Sequence, residues 1–224
     1  MTTQPNSQLG YELYKIVDEY HKSLTIPGQD WDFTNPTANL EYIAMSLAQT
    51  MTQNGGIGLA ANQVRLPWNI FVMGTGQEIE CIINPVIVTR EGEQVEIEGC
   101  LSAPGLFLKI KRAAKIVVKY TSIKGATKEQ TFEGLTARIF QHEFDHLQGI
   151  NFKKLVSPIK LQRAKEKVAL TLRRMKAMFE ERKKSVLAEQ AKNIQQSVER
   201  AKGGIPKVAP GTILKFSTGV PANT

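Results

Sequence analysis

The spacing of apolar residues changes several times along the chain, and each change marks an element. Leu9, Leu13, Ile16, Val17 and Tyr20 recur at three- and four-residue steps, which predicts a helix over residues 9–24. From Thr25 to Pro36 the period is lost and Pro, Gly, Asp and Asn accumulate, so this stretch reads as a loop. Leu40, Ile43, Ala44, Leu47 and Met51 form a second helical stripe that stops at Gly55-Gly56. Between Asn69 and Phe132 the texture becomes short β-type runs: NIFVM, CIIN, VIVTR, QVEIE, KIVVKYT and EQTFE, separated by Gly, Pro and Asn. Helical spacing returns in LTARIFQHEFDHLQG and ends at Gly149. Ser157-Pro158 then supplies a cap and a first-turn proline. Beyond it Leu161, Ala164, Val168, Leu172, Met175 and Phe179, then Leu187, Ala191, Ile194, Val198 and Ala201, hold one face.

This order of elements predicts an α+β fold, with antiparallel β-strands packed around a central helix and a long amphipathic helix at the C-terminus. Four parts are expected: an N-terminal helix and loop over 1–36, a catalytic domain over 37–156, a basic helix over 157–202, and a disordered tail over 203–224. The long helix is expected to break near Arg182-Lys183-Lys184. No internal repeat is present.

Charge sharpens this division. The net charge is +8, yet residues 151–202 alone hold fifteen Lys and Arg against five Asp and Glu. The first 150 residues are therefore net acidic, and a polyanionic partner is to be sought at the C-terminal helix. No apolar run approaches the ~18 residues that span a bilayer, and the N-terminus MTTQPNSQLG lacks the basic and apolar regions of a secretory signal. The expectation is a cytoplasmic protein without a membrane partner. Two cysteines, Cys81 and Cys100, are too few for a disulfide framework.

The chemistry concentrates on the helix of QHEFDHLQG. His142 and His146 lie one turn apart, so both imidazoles leave the same face and can hold one metal ion, with Glu143 beside the first. The plain alternative is a polar helix surface that matches His-Glu-x-x-His by accident; His21 has no such partner. A catalytic metal site usually takes three protein ligands and leaves a position for water, and residues 147–160 contain no His, Asp or Glu. Cys100, in Glu98-Gly99-Cys100-Leu101-Ser102, would complete a His₂Cys set as thiolate; a buried apolar cysteine is the competing reading. The glycines of Gly56-Ile57-Gly58-Leu59-Ala60-Ala61-Asn62-Gln63 permit close backbone approach to a ligand, and Gln63 brings an amide donor. Pro67-Trp68 and the following strand do not suit a phosphate loop, which excludes a nucleotide site.

Taken together, GIGLAANQ, EGCLS and QHEFDHLQG, in that order and separation, resemble the three signature motifs of the peptide deformylase family over roughly residues 40–160. The resemblance implies hydrolytic removal of the formyl group from the N-terminal formyl-methionine of nascent polypeptides. It implies Cys100, His142 and His146 as ligands of one divalent metal, Fe²⁺ foremost, with Zn²⁺, Ni²⁺ or Co²⁺ able to replace it. It further implies a metal-bound hydroxide as nucleophile, Glu143 as general acid/base, and Gln63 with the backbone N–H of Leu101 as donors to the developing oxyanion. Ile57, Leu135 and Ile139 are the candidate methionine pocket, with Gly58, Gly99 and Arg138 beside it. Arg138 stands where many bacterial members carry an aliphatic residue, and the N-terminal 36 residues do not resemble the short strand-led opening of the family. The segment LVSPIKLQRAKEKVALTLRRMKA is similar to the helix by which bacterial deformylases dock at the ribosomal exit tunnel. On that likeness Lys160, Arg163, Lys165, Lys167, Arg173, Arg174 and Lys176 are expected to meet ribosomal RNA phosphates; self-association as a coiled coil is the competing role of the same helix. A peptidase using the same helix motif, or a binding protein that lost catalysis, are the other functions considered.

Overall fold

The computed structural model describes residues 10–76 and 78–203. It has a mixed α/β fold with antiparallel sheets and a long C-terminal helix. A five-stranded sheet runs in the order β1 (Gly58–Ala60), β2 (Ile70–Thr75), β3 (Glu78–Glu91), β6 (Lys115–Thr121), β7 (Thr127–Glu133). A two-stranded sheet pairs β4 (Gln94–Cys100) with β5 (Ala103–Arg112). The helices are α1 (Leu40–Gln53), α2 (Gly134–Leu147) and α3 (Pro158–Lys202).

Each helix forms where its pattern and caps coincide. At α1, the Asn39 side chain accepts from Tyr42 N–H and so occupies an otherwise orphan donor, while Ile43, Leu47 and Met51 are buried against β1 and β2. Helix α2 ends where Gly149, at φ 69°, turns the chain. A β-carbon at Gly149 would lie 2.8 Å from the Thr25 carbonyl oxygen, so the close approach also needs glycine. Phe140, fully buried, sets α2 on the larger sheet through an edge-to-face contact with Phe71 at 5.1 Å. Burying such a ring contributes about 1.5–3 kcal/mol towards holding the helix that carries both histidines on the sheet.

Several expectations need correction. Residues 9–24 do not form the expected helix: the described part is irregular, with a turn at Glu19-Tyr20 and a short 3₁₀ turn at Lys22–Thr25. Its backbone donors are taken by tertiary partners, Tyr14 N–H by Thr50 Oγ1 at 3.0 Å and Val17 N–H by the Gln63 carbonyl at 2.8 Å. The helical stripe was therefore misleading, since its Leu13 and Tyr20 are exposed. The loop after it is pinned by Trp31, buried edge-on to Trp68 and bracketed by the Asn84 side chain. CIIN and VIVTR are one strand, β3. Its register shifts between Ile83 and Val86, where Asn84 takes φ 49°, so the chain bulges past Pro85 and does not end there. Strand β5 was absent from the expected set.

Helix α3 is continuous through Arg182–Lys184, where a break was expected. The chain divides into a compact unit ending at Ala169 and a second beginning at Leu170. In the first, Leu161, Ala164 and Val168 pack on Leu106, Leu108, Ile110 and Phe152. In the second, the described residues continue α3, with Leu172, Met175, Phe179 and Ile194 exposed. The tail expected to be disordered lies, from residue 204, outside the described residues. Among the described residues no helix is long and apolar enough to cross a membrane.

Candidate metal centre and active site

The three motifs meet at one place. Helix α2 contributes His142, Glu143 and His146, the end of β4 contributes Cys100, and the 3₁₀ turn after β1 contributes Gln63. Ligand atoms of Cys100, His142 and His146 all lie within 4.8 Å of one another. Cys100 Sγ is 3.3 Å from His146 Nε2. Both cysteines are free, and Cys81, in β3, is half-buried, with desolvation pushing its thiol up to about 12. Gln63 is held by its own turn, where its Oε1 accepts from Ala60 N–H at 2.8 Å. Its Nε2 is thereby aimed at Cys100 Sγ (3.4 Å) and Ser102 Oγ (3.2 Å).

Behind the ligands lies a buried charge network that sequence reasoning missed. Glu98 receives Arg112 Nε at 2.5 Å and Nη2 at 2.9 Å, Arg138 Nη1 at 2.5 Å, and faces His142 Nδ1 at 3.0 Å. Arg112 continues to Asp145 at 2.7 Å. Burial opposes the charge on Glu98, but hydrogen bonds from His142 and Arg112 outweigh it and hold the carboxyl at about 2. An ionised Glu98 fixes the His142 ring with its Nδ1 outward and leaves Nε2 for the centre. Burial pulls the His142 pKa down, yet Cys100 and Glu98 hold it up at about 10, so a metal ion held there would compete with a proton. His146, fully enclosed and near His142, is pushed well below its ordinary value. Glu143 is different: burial alone dominates and raises it to about 7, and its Oε2 has no hydrogen-bond partner.

The donor chemistry suits a metal: one cysteine sulfur and two imidazoles, their ligand atoms within 4.8 Å of one another, are the composition of a borderline-soft divalent site. Ile57, Gly58, Gly99, Leu135, Arg138 and Ile139, the expected substrate contacts, all border a cavity of ≈ 920 Å³ that opens onto this centre. Arg138 is the exception in character. It is buried, and its guanidinium is committed to Glu98 and to the carbonyls of Ile110 and Gln94. Leu101, expected to offer its backbone N–H, also borders the cavity.

A family model, polypeptide deformylase, matches residues 13–162. The chain belongs to that family. The match begins at residue 13, inside the segment that the sequence set apart as atypical. Peptide deformylase 2 of Xanthomonas campestris is 44% identical over 124 residues, 54% of this chain and 73% of that protein. The crystal structure of peptide deformylase from Thermotoga maritima superposes with a TM-score of 0.63 at 36% identity, covering 66% of this chain and 100% of that one. A Met-Ala-Ser-bound peptide deformylase from Acinetobacter baumannii gives 0.61 at 27%, covering 65% and 99%. As a deformylase family member the chain is a metal-binding hydrolase with a role in protein biosynthesis.

Two of the missed residues carried a readable signal. Glu98 and Asp145 sit inside the signature segments EGCLS and QHEFDHLQG, and a carboxylate embedded beside metal ligands is a common orienting partner. Arg112 gave none, because nothing in its local run distinguishes a buried arginine from an exposed one.

Gly58 has a role that the spacing alone could not assign. A β-carbon there would lie 2.3 Å from Glu143 Oε1 and 2.9 Å from Glu143 Cγ. Gly58→Ala is expected to displace the Glu143 carboxylate and lower kcat by about 10²-fold, as expected when a positioned proton-transfer group is lost. Metal content, measured on the same sample, should match the parent.

Proposed function

We propose that this protein removes the formyl group from N-terminal formyl-methionine, with a divalent metal held by Cys100, His142 and His146. The observation that carries the proposal is the gathering of these three ligand groups within 4.8 Å of one another, with Cys100 and His142 bordering the cavity beside a buried carboxyl that burial raises to about 7. A divalent ion there supplies Lewis acidity, activating water at neutral pH and polarising the formyl oxygen. Ferrous iron is the metal favoured by the family likeness, and zinc, nickel or cobalt suit the same donors.

The chain's own residues then have these roles. Glu143, raised by burial to about 7, takes a proton from the attacking water and returns it to the departing methionine nitrogen. Water oxygen bonds to the formyl carbon, the carbon–nitrogen bond breaks, and formate and a free amine leave. Gln63 Nε2, held by the Ala60 hydrogen bond, and the backbone N–H of Leu101 donate to the formyl oxygen as it gains charge. The methionine side chain enters the cavity beside Ile57, Leu135 and Ile139. Formate release from formyl-Met-Ala-Ser by anaerobically purified protein, with metal analysis of the same sample, is the test. Cleavage of internal or unformylated peptides in its place would identify a peptidase.

We infer ribosome docking for the basic C-terminal helix. Lys160, Arg163, Lys165 and Lys167 lie on the part of α3 in the first unit, and Arg173, Arg174 and Lys176 are exposed on the part in the second. Binding through phosphate contacts falls steeply with salt, by about 10³-fold or more between 50 and 200 mM for six contacts. Co-sedimentation with ribosomes is expected to show this salt dependence and to fall sharply on truncation after Ala169, which removes Arg173, Arg174 and Lys176 but keeps Leu161, Ala164 and Val168 packed on the first unit, so that the truncated chain still hydrolyses a short formyl-peptide. Undiminished pelleting of the truncated chain would exclude docking through α3 beyond Ala169 and leave self-association as the role of that part.

A further inference from the structure

The mouth of the cavity carries more apolar surface than a solvent-facing rim calls for. Ile97, Phe107 and Leu135 are 61%, 63% and 64% exposed, and all three border the cavity. Single exposed apolar side chains are ordinary, whereas a group of them on the lip of a binding cavity marks a contact surface. In the β4–β5 ladder Glu98 stands opposite Leu108 and Ile97 opposite Lys109. Opposed residues share a face and side chains alternate along each strand. Ile97 and Phe107 therefore stand on one face, while Glu98 and Leu108 point the other way into the protein. The Phe107 ring lies close over Gly99, where a β-carbon would be 2.8 Å from its Cε1. Glycine at this position thus lets the ring reach the backbone beside Cys100.

On the deformylase reading, the substrate is an extended peptide whose methionine side chain enters the cavity. Alternation turns the next side chain to the opposite face, towards the rim. The charged residues bordering the cavity from the N-terminal segment, Lys15 and Asp18, have opposite signs, and Lys109, on the same face as Ile97, does not border the cavity, so apolar contact is the feature of the mouth best able to discriminate. We propose that Ile97 and Phe107 form a ledge that selects the residue following formyl-methionine, favouring leucine or phenylalanine there over alanine or aspartate. The contact is made equally in the ground and transition states, so the selection appears in KM and not in kcat.

The test is steady-state kinetics of the full-length, metal-loaded protein on formyl-Met-Leu-Ser, formyl-Met-Ala-Ser and formyl-Met-Asp-Ser. Inhibition by the products Met-Leu-Ser and Met-Ala-Ser reads the same ledge without turnover. The leucine peptide is expected to lead the alanine peptide by about tenfold in kcat/KM, in line with a few methylenes of apolar contact. Met-Leu-Ser should out-inhibit Met-Ala-Ser by a similar factor. Phe107→Ala should reduce both ratios to within about twofold, whereas Phe107→Leu, which keeps an apolar contact, should retain most of each. A parent ratio near one, or a ratio that survives Phe107→Ala, would overturn the ledge. Formate release from none of the peptides would instead overturn the deformylase reading on which the ledge depends, so the two failures are distinguishable.

Discussion

Replacement of Glu143 with alanine is expected to leave metal content unchanged and to reduce formate release by about 10²–10⁴-fold, the range associated with loss of a positioned general acid or base. Glu143 lies one residue from a ligand yet is not among the groups whose donor atoms converge. Its carboxyl is buried and raised to about 7, and one of its oxygens has no hydrogen-bond partner. The fold does not depend on this charge. A carboxyl whose folded pKa lies above its unfolded value loses stability for the protein as pH rises from the unfolded value to the folded one, and the ionised form carries that cost above both. A neutral replacement removes the cost, so Glu143→Ala and Glu143→Gln should fold at least as stably as the parent above pH 7. Thermal melting, metal analysis and formate release on the same samples separate the outcomes. A Glu143→Gln protein turning over within tenfold of the parent would exclude Glu143 as the proton carrier.

What the sequence revealed, and what it concealed, follows from the range over which each residue's surroundings are determined. The His142–His146 pair was legible because both residues lie on one helix turn and their geometry is set locally. Helix α1 was legible for the same reason: Ile43, Leu47 and Met51 hold one face whatever they pack on. Strand β5 is absent from the β-type runs expected of the sequence although Leu106, Leu108, Ile110 and Arg112 alternate inward, since Pro104 and Gly105 are turn-forming residue types and the intervening Phe107, Lys109 and Lys111 are apolar or basic. The N-terminal segment was misread because Tyr14 and Val17 take their backbone partners from Thr50 and Gln63, dozens of residues away. No local period can report such bonds. Glu98 shows the same limit at the site itself. Its partners, Arg112, Arg138 and His142, come from β5 and α2, and only their assembly makes a buried carboxylate tolerable.

That assembly bears on the remaining ligand. Cys100→Ser should lower metal affinity and activity together, with metal occupancy after dialysis falling by about 10²-fold or more, since even orienting partners outside the ligand set are worth 10–100-fold in affinity. The reason is chemical and geometric at once. A serine hydroxyl ionises far less readily than a thiol and is a harder, poorer donor to a borderline-soft divalent ion. It is also smaller than sulfur, which now approaches His146 Nε2 at 3.3 Å and Gln63 Nε2 at 3.4 Å. The substitution removes little packing, because Cys100 is half-buried at the edge of its apolar cluster, so melting of the metal-stripped proteins should differ by no more than about 1 kcal/mol, the usual cost of a minor polar change. The metal-loaded parent, by contrast, should melt higher than the loaded variant, because an ion that binds only the folded state stabilises it in proportion to its affinity. Equal metal content, equal activity and equal melting in parent and variant would mean that the third ligand is another residue.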